Sequence, residues 1–133
     1  MKVVLDTNVV VSAFLSPAGN CAVILQLALR HDTGVNIYFS SAVLAEYEEV
    51  LCRSKFAGRI NLIAVQRFFE ILYKIGTTVH VVPSHITLPD EADRKFYDIA
   101  KKEGAYLVTG NIRHYPTEPF VVEPADFLRL LTS

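Results

Sequence analysis

The sequence has few cysteines and no long apolar run. Its two cysteines form neither a CxxC pair nor a Cys/His spacing of the kind that binds zinc. We therefore expect Cys21 and Cys52 to be small buried residues. No stretch approaches the ~20 apolar residues that span a bilayer, and Asp6 and Asn8 interrupt the apolar N-terminus before it reaches the ~7–15 residues of a secretion-signal core. A cytoplasmic protein with no membrane contact is expected.

An excess of positive charge is also lacking. The formal net charge is −1, so a nucleic-acid surface would have to be a local patch. Hydrophobic residues make up 51% and charged residues 20% of the chain, a balance that suits a packed domain and excludes disorder. The length of 133 residues predicts a single domain over residues 1–133.

Short apolar runs alternate with longer segments of helical period. The predicted strands are Lys2–Leu5, Asn36–Phe39, Thr78–Val82, Tyr106–Val108 and Phe120–Val122. The predicted helices are Val9–Leu15, Cys21–Arg30, a segment from Ser40 or Ser41 to about Arg53, Leu62–Lys74, Glu91–Glu103 and Ala125–Leu131. This alternation predicts an α/β domain with a mostly parallel sheet. Ligands of such sheets bind beyond the carboxyl ends of the strands.

Acidic side chains follow two of these strands. Asp6 ends the first apolar run, where a buried carboxylate needs a partner; its alternative role is to cap the next helix. Glu46 lies early in the helix that follows the second strand. Periodicity cannot choose between Glu46 and Glu48, which fall on opposite borders of the apolar face. Glu46 is closer to the helix start and to the expected cleft.

A third acidic segment opens the predicted helix Glu91–Glu103. Asp93 borders the apolar stripe of that helix at its first turn, whereas Asp98 lies on the opposite face and is expected in solvent. Asp90 is well placed as the N-cap, and a capping box is the structural alternative for Asp93. Carboxylates that converge from separate elements repel one another unless a cation neutralises them. Oxygen ligands favour Mg²⁺ or Mn²⁺, ions that promote phosphodiester hydrolysis.

At these residues the sequence resembles the PIN-domain family over essentially the whole chain. Three segments are similar to the family's first, second and fourth motifs: Val3–Val9, Ser40–Glu46 and Tyr106–Asn111. Asp93 precedes Ala100 and Gly104 at the spacing of the third. The resemblance implies a three-layer α/β/α fold and a metal-dependent endoribonuclease.

The site residues follow from the same resemblance. It makes Asp6, Glu46 and Asp93 the catalytic ligands of Mg²⁺ or Mn²⁺, with Asn111 as a further catalytic residue and Asn8 and Thr109 as supporting polar residues. Many members carry an aspartate where this chain has Asn111. Asparagine adds no charge, which favours a single ion.

The run Thr109–Pro116 resembles a branch of the family described as toxins of toxin–antitoxin pairs, in which the asparagine is usual. This implies RNA as substrate, a small antitoxin as partner and a homodimer. Arg113 and His114 are the candidates for RNA binding, with an ordinary charged surface as the alternative. Asn111 also motivates a second hypothesis, a PIN-fold module that binds RNA or protein with little or no cleavage. A phosphatase of another α/β class is disfavoured, because such enzymes need an aspartate where this chain has Asn8.

Overall fold

A parallel sheet forms the centre of the molecule in the computed structural model, which describes residues 1–132. The strands are β1 (Lys2–Leu5), β2 (Asn36–Phe39), β3 (Thr77–Thr78), β4 (Tyr106–Val108) and β5 (Val121–Val122). Their order is β3-β2-β1-β4-β5, and every neighbouring pair is parallel. Val3, Val4 and Leu5 of β1 are fully buried. Because successive side chains point to opposite faces, both faces of the sheet are covered.

Helices cover the sheet. They are α1 (Thr7–Leu15), α2 (Asn20–Ala28), α3 (Ser41–Leu51), α4 (Leu62–Ile75), α5 (Arg94–Glu103) and α6 (Pro124–Leu131). Helix α1 packs against α2 and α3, α2 packs against α6, and α5 packs against β1, β2 and β4. This is the three-layer α/β/α fold with a parallel sheet that the sequence predicts, and all five strands are parallel.

Local sequence explains where several helices begin and end. The Ser40 hydroxyl accepts a hydrogen bond from the Val43 amide over 3.3 Å and so caps α3. The Asn61 side chain accepts from the Ile63 amide over 2.8 Å and caps α4. Gly104 ends α5 in the left-handed conformation, with φ of 65°, which glycine adopts without steric cost.

Two predicted elements differ most from the observed ones, and the bounds of the others shift by at most about two residues. The predicted strand Thr78–Val82 shortens to Thr77–Thr78. The Val79 amide still donates to the Phe39 carbonyl of β2, but the chain after Val79 is bound to α5, because Lys102 donates to the His80 carbonyl over 2.7 Å. The predicted helix Glu91–Glu103 begins as a 3-10 turn over Glu91–Asp93, and the α-helix starts at Arg94. The Asp90 side chain caps that turn through the Ala92 amide, as expected.

No single helix within residues 1–132 is long and apolar enough to cross a membrane. Helices α1 and α2 together reach the length and composition of a span, but they are bent by 108° relative to each other.

Candidate metal centre

The strand order brings three polar segments to one edge of the sheet. β1 lies between β2 and β4, so successive connections leave it in opposite directions and open a crevice at its carboxyl end. Asp6 directly follows β1, Ser40 follows β2 and Thr109 follows β4. The candidate site is built around Asp6.

Asp6 is buried, with 5% of its surface exposed. Its Oδ2 accepts hydrogen bonds from the hydroxyls of Thr109 and Tyr115, each over 2.9 Å. Asp6 also precedes α1 as its N-cap residue, but its side chain makes no capping hydrogen bond. Burial raises the pKa of Asp6, an effect that the two hydroxyls oppose and the charge of Glu46 reinforces. The carboxylate is therefore oriented by side chains and is not used in capping.

Glu46 approaches Asp6 from α3. Its Oε2 accepts a hydrogen bond from the hydroxyl of Thr7, the residue next to Asp6, and its Oε1 lies 2.8 Å from the Lys95 ammonium. Glu48, the other glutamate at the border of this helix, is exposed. Position in the helix thus selects the glutamate that reaches the crevice.

Asp93 ends the 3-10 turn before α5, and its side chain is 15% exposed. Its Oδ2 is buried without a hydrogen-bond partner, and Asp93 makes no capping hydrogen bond at the start of α5. Burial, followed by the charges of Asp6 and Asp90, raises the pKa of Asp93 to about 6. A buried carboxylate oxygen without a donor is unusual and fits a cation ligand.

The supporting polar residues link the ends of β1 and β4. Asn8 accepts a hydrogen bond from the Gly110 amide through its Oδ1 over 2.9 Å. Thr109 is fully buried; its hydroxyl donates to Asp6 and accepts from the Asn111 amide over 3.0 Å. Asn111 itself is exposed at the rim. Asn8 and Thr109 therefore hold the two loops together, while the Asn111 side chain faces solvent.

Arg113 and His114 lie in a 3-10 turn, Ile112–His114, and both are exposed. His114 Nδ1 is 3.5 Å from Asp93 Oδ2, too far for a good hydrogen bond. Both side chains are accessible to a ligand beside the acidic crevice.

A tight group of potential metal ligands includes one of the three predicted residues. Within residues 1–132, one set of three His, Cys, Asp or Glu side chains brings its ligand atoms within 4.8 Å of one another, namely Asp90, Asp93 and His114. Asp6 and Glu46 stand outside this set, and their carboxylates contact hydroxyls and Lys95. The negative charges of Asp6 and Glu46 nevertheless help to raise the pKa of Asp93. Both carboxylates therefore lie within electrostatic range of Asp93.

Two sequence expectations about individual side chains are wrong. Asp98 is 5% exposed instead of solvated, because its carboxylate accepts hydrogen bonds from the Ser84 amide and hydroxyl over 2.9 and 2.6 Å. Cys52 is exposed and Cys21 only partly buried, because Cys52 lies just past the last turn of α3.

Two residues of the crevice were given no role at the sequence level. The buried Tyr115 reaches Asp6, and Thr7 reaches Glu46. A tyrosine after a basic pair carries no periodic or spacing pattern that would reveal this contact. The position of Thr7 directly after Asp6 is a signal that indicates a supporting role in the crevice.

The fold and the crevice define an α/β domain with a carboxylate site of the kind that holds a divalent cation. A family model described as PIN domain matches residues 2–113. The chain belongs to the PIN-domain family, as its sequence motifs predict; PIN domains are in general nucleases that use divalent metals.

Two solved structures are similar in fold. A chain of VapBC2 from Rickettsia felis, in a complex with a DNA fragment from the promoter, has a TM-score of 0.56 at 21% identity, covering 92% of this chain and 97% of that chain. PAE2754 from Pyrobaculum aerophilum has a TM-score of 0.61 at 15% identity, covering 98% and 88%. No curated protein sequence matches the chain.

Proposed function

We propose that this protein is a Mg²⁺- or Mn²⁺-dependent endoribonuclease in which Asp6, Glu46 and Asp93 hold the ion. The observation that carries the proposal is the Oδ2 of Asp93, which is buried without a hydrogen-bond partner in a crevice that also contains two other carboxylates. Asp6 and Glu46 both raise the pKa of Asp93 by their charge. Three acids within electrostatic range of each other need a cation.

The donor set fits a hard divalent ion. Carboxylate oxygens suit Mg²⁺ and Mn²⁺ better than zinc or copper, and His114 adds one nitrogen beside Asp93. When bound, such an ion supplies the positive charge that activates water and stabilises a phosphodiester during hydrolysis. Lys95 contributes one positive charge at Glu46, which leaves the crevice acidic.

The chain's own residues orient the ligands and receive the substrate. Thr109 and Tyr115 fix Oδ2 of Asp6 and so orient this carboxylate in the crevice. Asn111 can orient a water or a ligand through its amide, and Arg113 and His114 offer exposed donors for RNA phosphates. No charge from the Asn111 position assists a second ion, which is why a single ion is part of the proposal.

We also propose that the protein is the toxin of a toxin–antitoxin pair and acts in the cytoplasm. The similar VapBC2 structure supports a small protein partner. An apolar groove of about 260 Å³ offers a surface for such a partner; Phe14, Leu25 and Ile71 line it. Leu62, Ile63 and Tyr73 on α4 are 60%, 64% and 69% exposed, which supports a homodimer through this helix.

The test is cleavage of a mixed, end-labelled pool of single-stranded RNA with Mn²⁺, with and without EDTA. Wild-type protein should cleave, EDTA should stop cleavage, and Asp93→Asn should be inactive. Asp32→Asn is the matched control, because Asp32 is an exposed carboxylate paired with Arg30. Cleavage by Asp93→Asn at the wild-type rate would refute the assigned site.

The alternative is a PIN-fold module that binds RNA or protein without efficient cleavage. The exposed, uncharged Asn111 at the rim favours it. Retention of the same RNA pool by folded wild-type protein in Mn²⁺, with no shortening of the RNA, would support this function instead.

A further inference from the structure

The Lys95 ammonium lies against one of the carboxylates assigned to the ion. Its Nζ is 2.8 Å from Glu46 Oε1, and the Lys95 and Glu46 side chains are 25% and 27% exposed. The other oxygen, Oε2, accepts the Thr7 hydroxyl. Both oxygens of Glu46 are therefore engaged by donors of the protein itself.

Lys95 is held in this place by its surroundings. The ammonium also donates to the Ala92 carbonyl, and it lies 5.5 Å from the centre of the Phe96 ring. Ala92 directly precedes Asp93. The lysine thus bridges the turn that carries Asp93 and the helix that carries Glu46.

We propose that Lys95 competes with the metal ion for Glu46: its ammonium neutralises this carboxylate in the metal-free protein and is displaced when the ion binds. The inference rests on the proposed metal site. An ion that takes Oε1 must replace the ammonium directly. An ion that takes Oε2 must replace the Thr7 hydroxyl. It would also lie close to the Lys95 ammonium on Oε1, whose positive charge repels it.

The surroundings leave room for the displaced side chain. Lys95 borders an open cavity of about 380 Å³, together with Ser41, His80 and Pro83. The ammonium can leave Glu46 by rotation of its flexible stem into this space, without movement of α5. Displacement therefore requires only a side-chain change.

Arg53 provides the matched control for a general effect of positive charge. The charge of Glu46 acts on Arg53, but the Arg53 guanidinium is paired with Glu49, with Nε–Oε1 and Nη2–Oε2 distances of 3.0 and 2.8 Å. Removing Arg53 takes away a nearby charge without freeing an oxygen of Glu46.

The test is a titration with Mn²⁺ alone, followed by the electron paramagnetic resonance of the free ion, in buffer without RNA. Lys95→Met and Lys95→Gln should both bind Mn²⁺ about three- to fivefold more tightly than wild type, the upper part of the range for loss of one partly exposed ion pair. Arg53→Met should stay within about twofold. Added salt should narrow the difference, because it screens the pair.

Each result has one meaning. Unchanged or weaker Mn²⁺ binding by folded Lys95 variants, beside saturable binding by wild type, would overturn the role of Lys95 and leave the proposed metal site standing. No saturable binding by folded wild-type protein would overturn both. Thermal unfolding without metal identifies a misfolded variant, and the glutamine variant decides if the methionine variant does not fold.

Discussion

Tyr115 donates its hydroxyl to Asp6 Oδ2 over 2.9 Å, although the two residues are 109 positions apart in the sequence. Tyr115 is 4% exposed and Asp6 is 5% exposed. Burial, reinforced by the charge of Asp6, raises the pKa of the Tyr115 hydroxyl, so this group remains a hydrogen-bond donor throughout the neutral range. The last loop of the site thus fixes the carboxylate at its centre.

Tyr115→Phe should therefore lower the free energy of unfolding by about 1.5–3 kcal/mol near neutral pH, since the lost hydrogen bond serves a charged acceptor. The loss should become smaller as the pH falls to about 4. The raised pKa of Asp6 favours its protonated form, which is a weaker hydrogen-bond acceptor than the carboxylate. Urea unfolding at both pH values measures this. Tyr73→Phe, at an exposed position, should have no effect, and an equal loss at both pH values would contradict the explanation.

Asp93→Asn should stabilise the metal-free protein. The pKa of Asp93 is raised to about 6, so the folded state holds the proton more tightly than the unfolded state does. Stability should fall as the pH rises from about 4 through about 6, and the variant should escape this loss. After allowance for solvent screening, we expect a gain of about 1–2 kcal/mol near pH 7.5.

The measurement is urea unfolding in EDTA across this pH range. Asp32→Asn serves as the control, because Asp32 is exposed and lies beside Arg30. A wild-type protein whose stability rises steadily from pH 4 to 7 would contradict the sign of this prediction.

Divalent metal should stabilise the wild-type protein. At a Mn²⁺ concentration about 100 times the dissociation constant, binding to the folded state alone adds about 2.7 kcal/mol to the free energy of unfolding. EDTA should reverse the gain, and Asp6→Asn or Asp93→Asn should lack it. Thermal unfolding with and without Mn²⁺ is the measurement; an equal gain in both variants would place the ion elsewhere.

Asp98→Ala should be one of the more destabilising changes of a charged residue. Asp98 accepts two hydrogen bonds from Ser84, and Arg94 donates to the Ser84 carbonyl over 2.9 Å. The variant leaves the Ser84 amide and hydroxyl without their acceptor and weakens the segment that Arg94 also holds, so we expect a loss of about 2–4 kcal/mol. Glu70→Ala, at an exposed position of α4, should change stability by less than about 0.5 kcal/mol. Chemical unfolding of both variants decides the comparison.

The sequence predicts most of the fold because its strands are short apolar runs that need burial on both faces. Val3, Val4 and Leu5 illustrate this, since all three are fully buried. The prediction from sequence fails at Thr78–Val82, whose β-branched residues are typical of a strand. The choice between β2 and α5 as hydrogen-bonding partner depends on tertiary contacts, here from Lys102 and Asp98.

The site is predictable in part for a similar reason. Asp6, Asn8 and Thr109 follow strand ends, and a parallel sheet brings those ends together. The burial of Asp98 could not be predicted, because helical periodicity only distinguishes the side of α5 that faces the sheet from the side that does not. It contains no information about a loop that covers that other side, as the segment around Ser84 does.

The central place of β1 has a consequence for how the protein is made. β1 pairs with β4, the Asp6 amide donates to the Val108 carbonyl over 3.0 Å, and Tyr115 reaches Asp6 from still later in the chain. A ribosome releases the chain from its N-terminus. The growing polypeptide therefore holds Asp6 and Glu46 well before it can complete the crevice. The crevice cannot assemble on a nascent chain until β4 and Tyr115 have emerged.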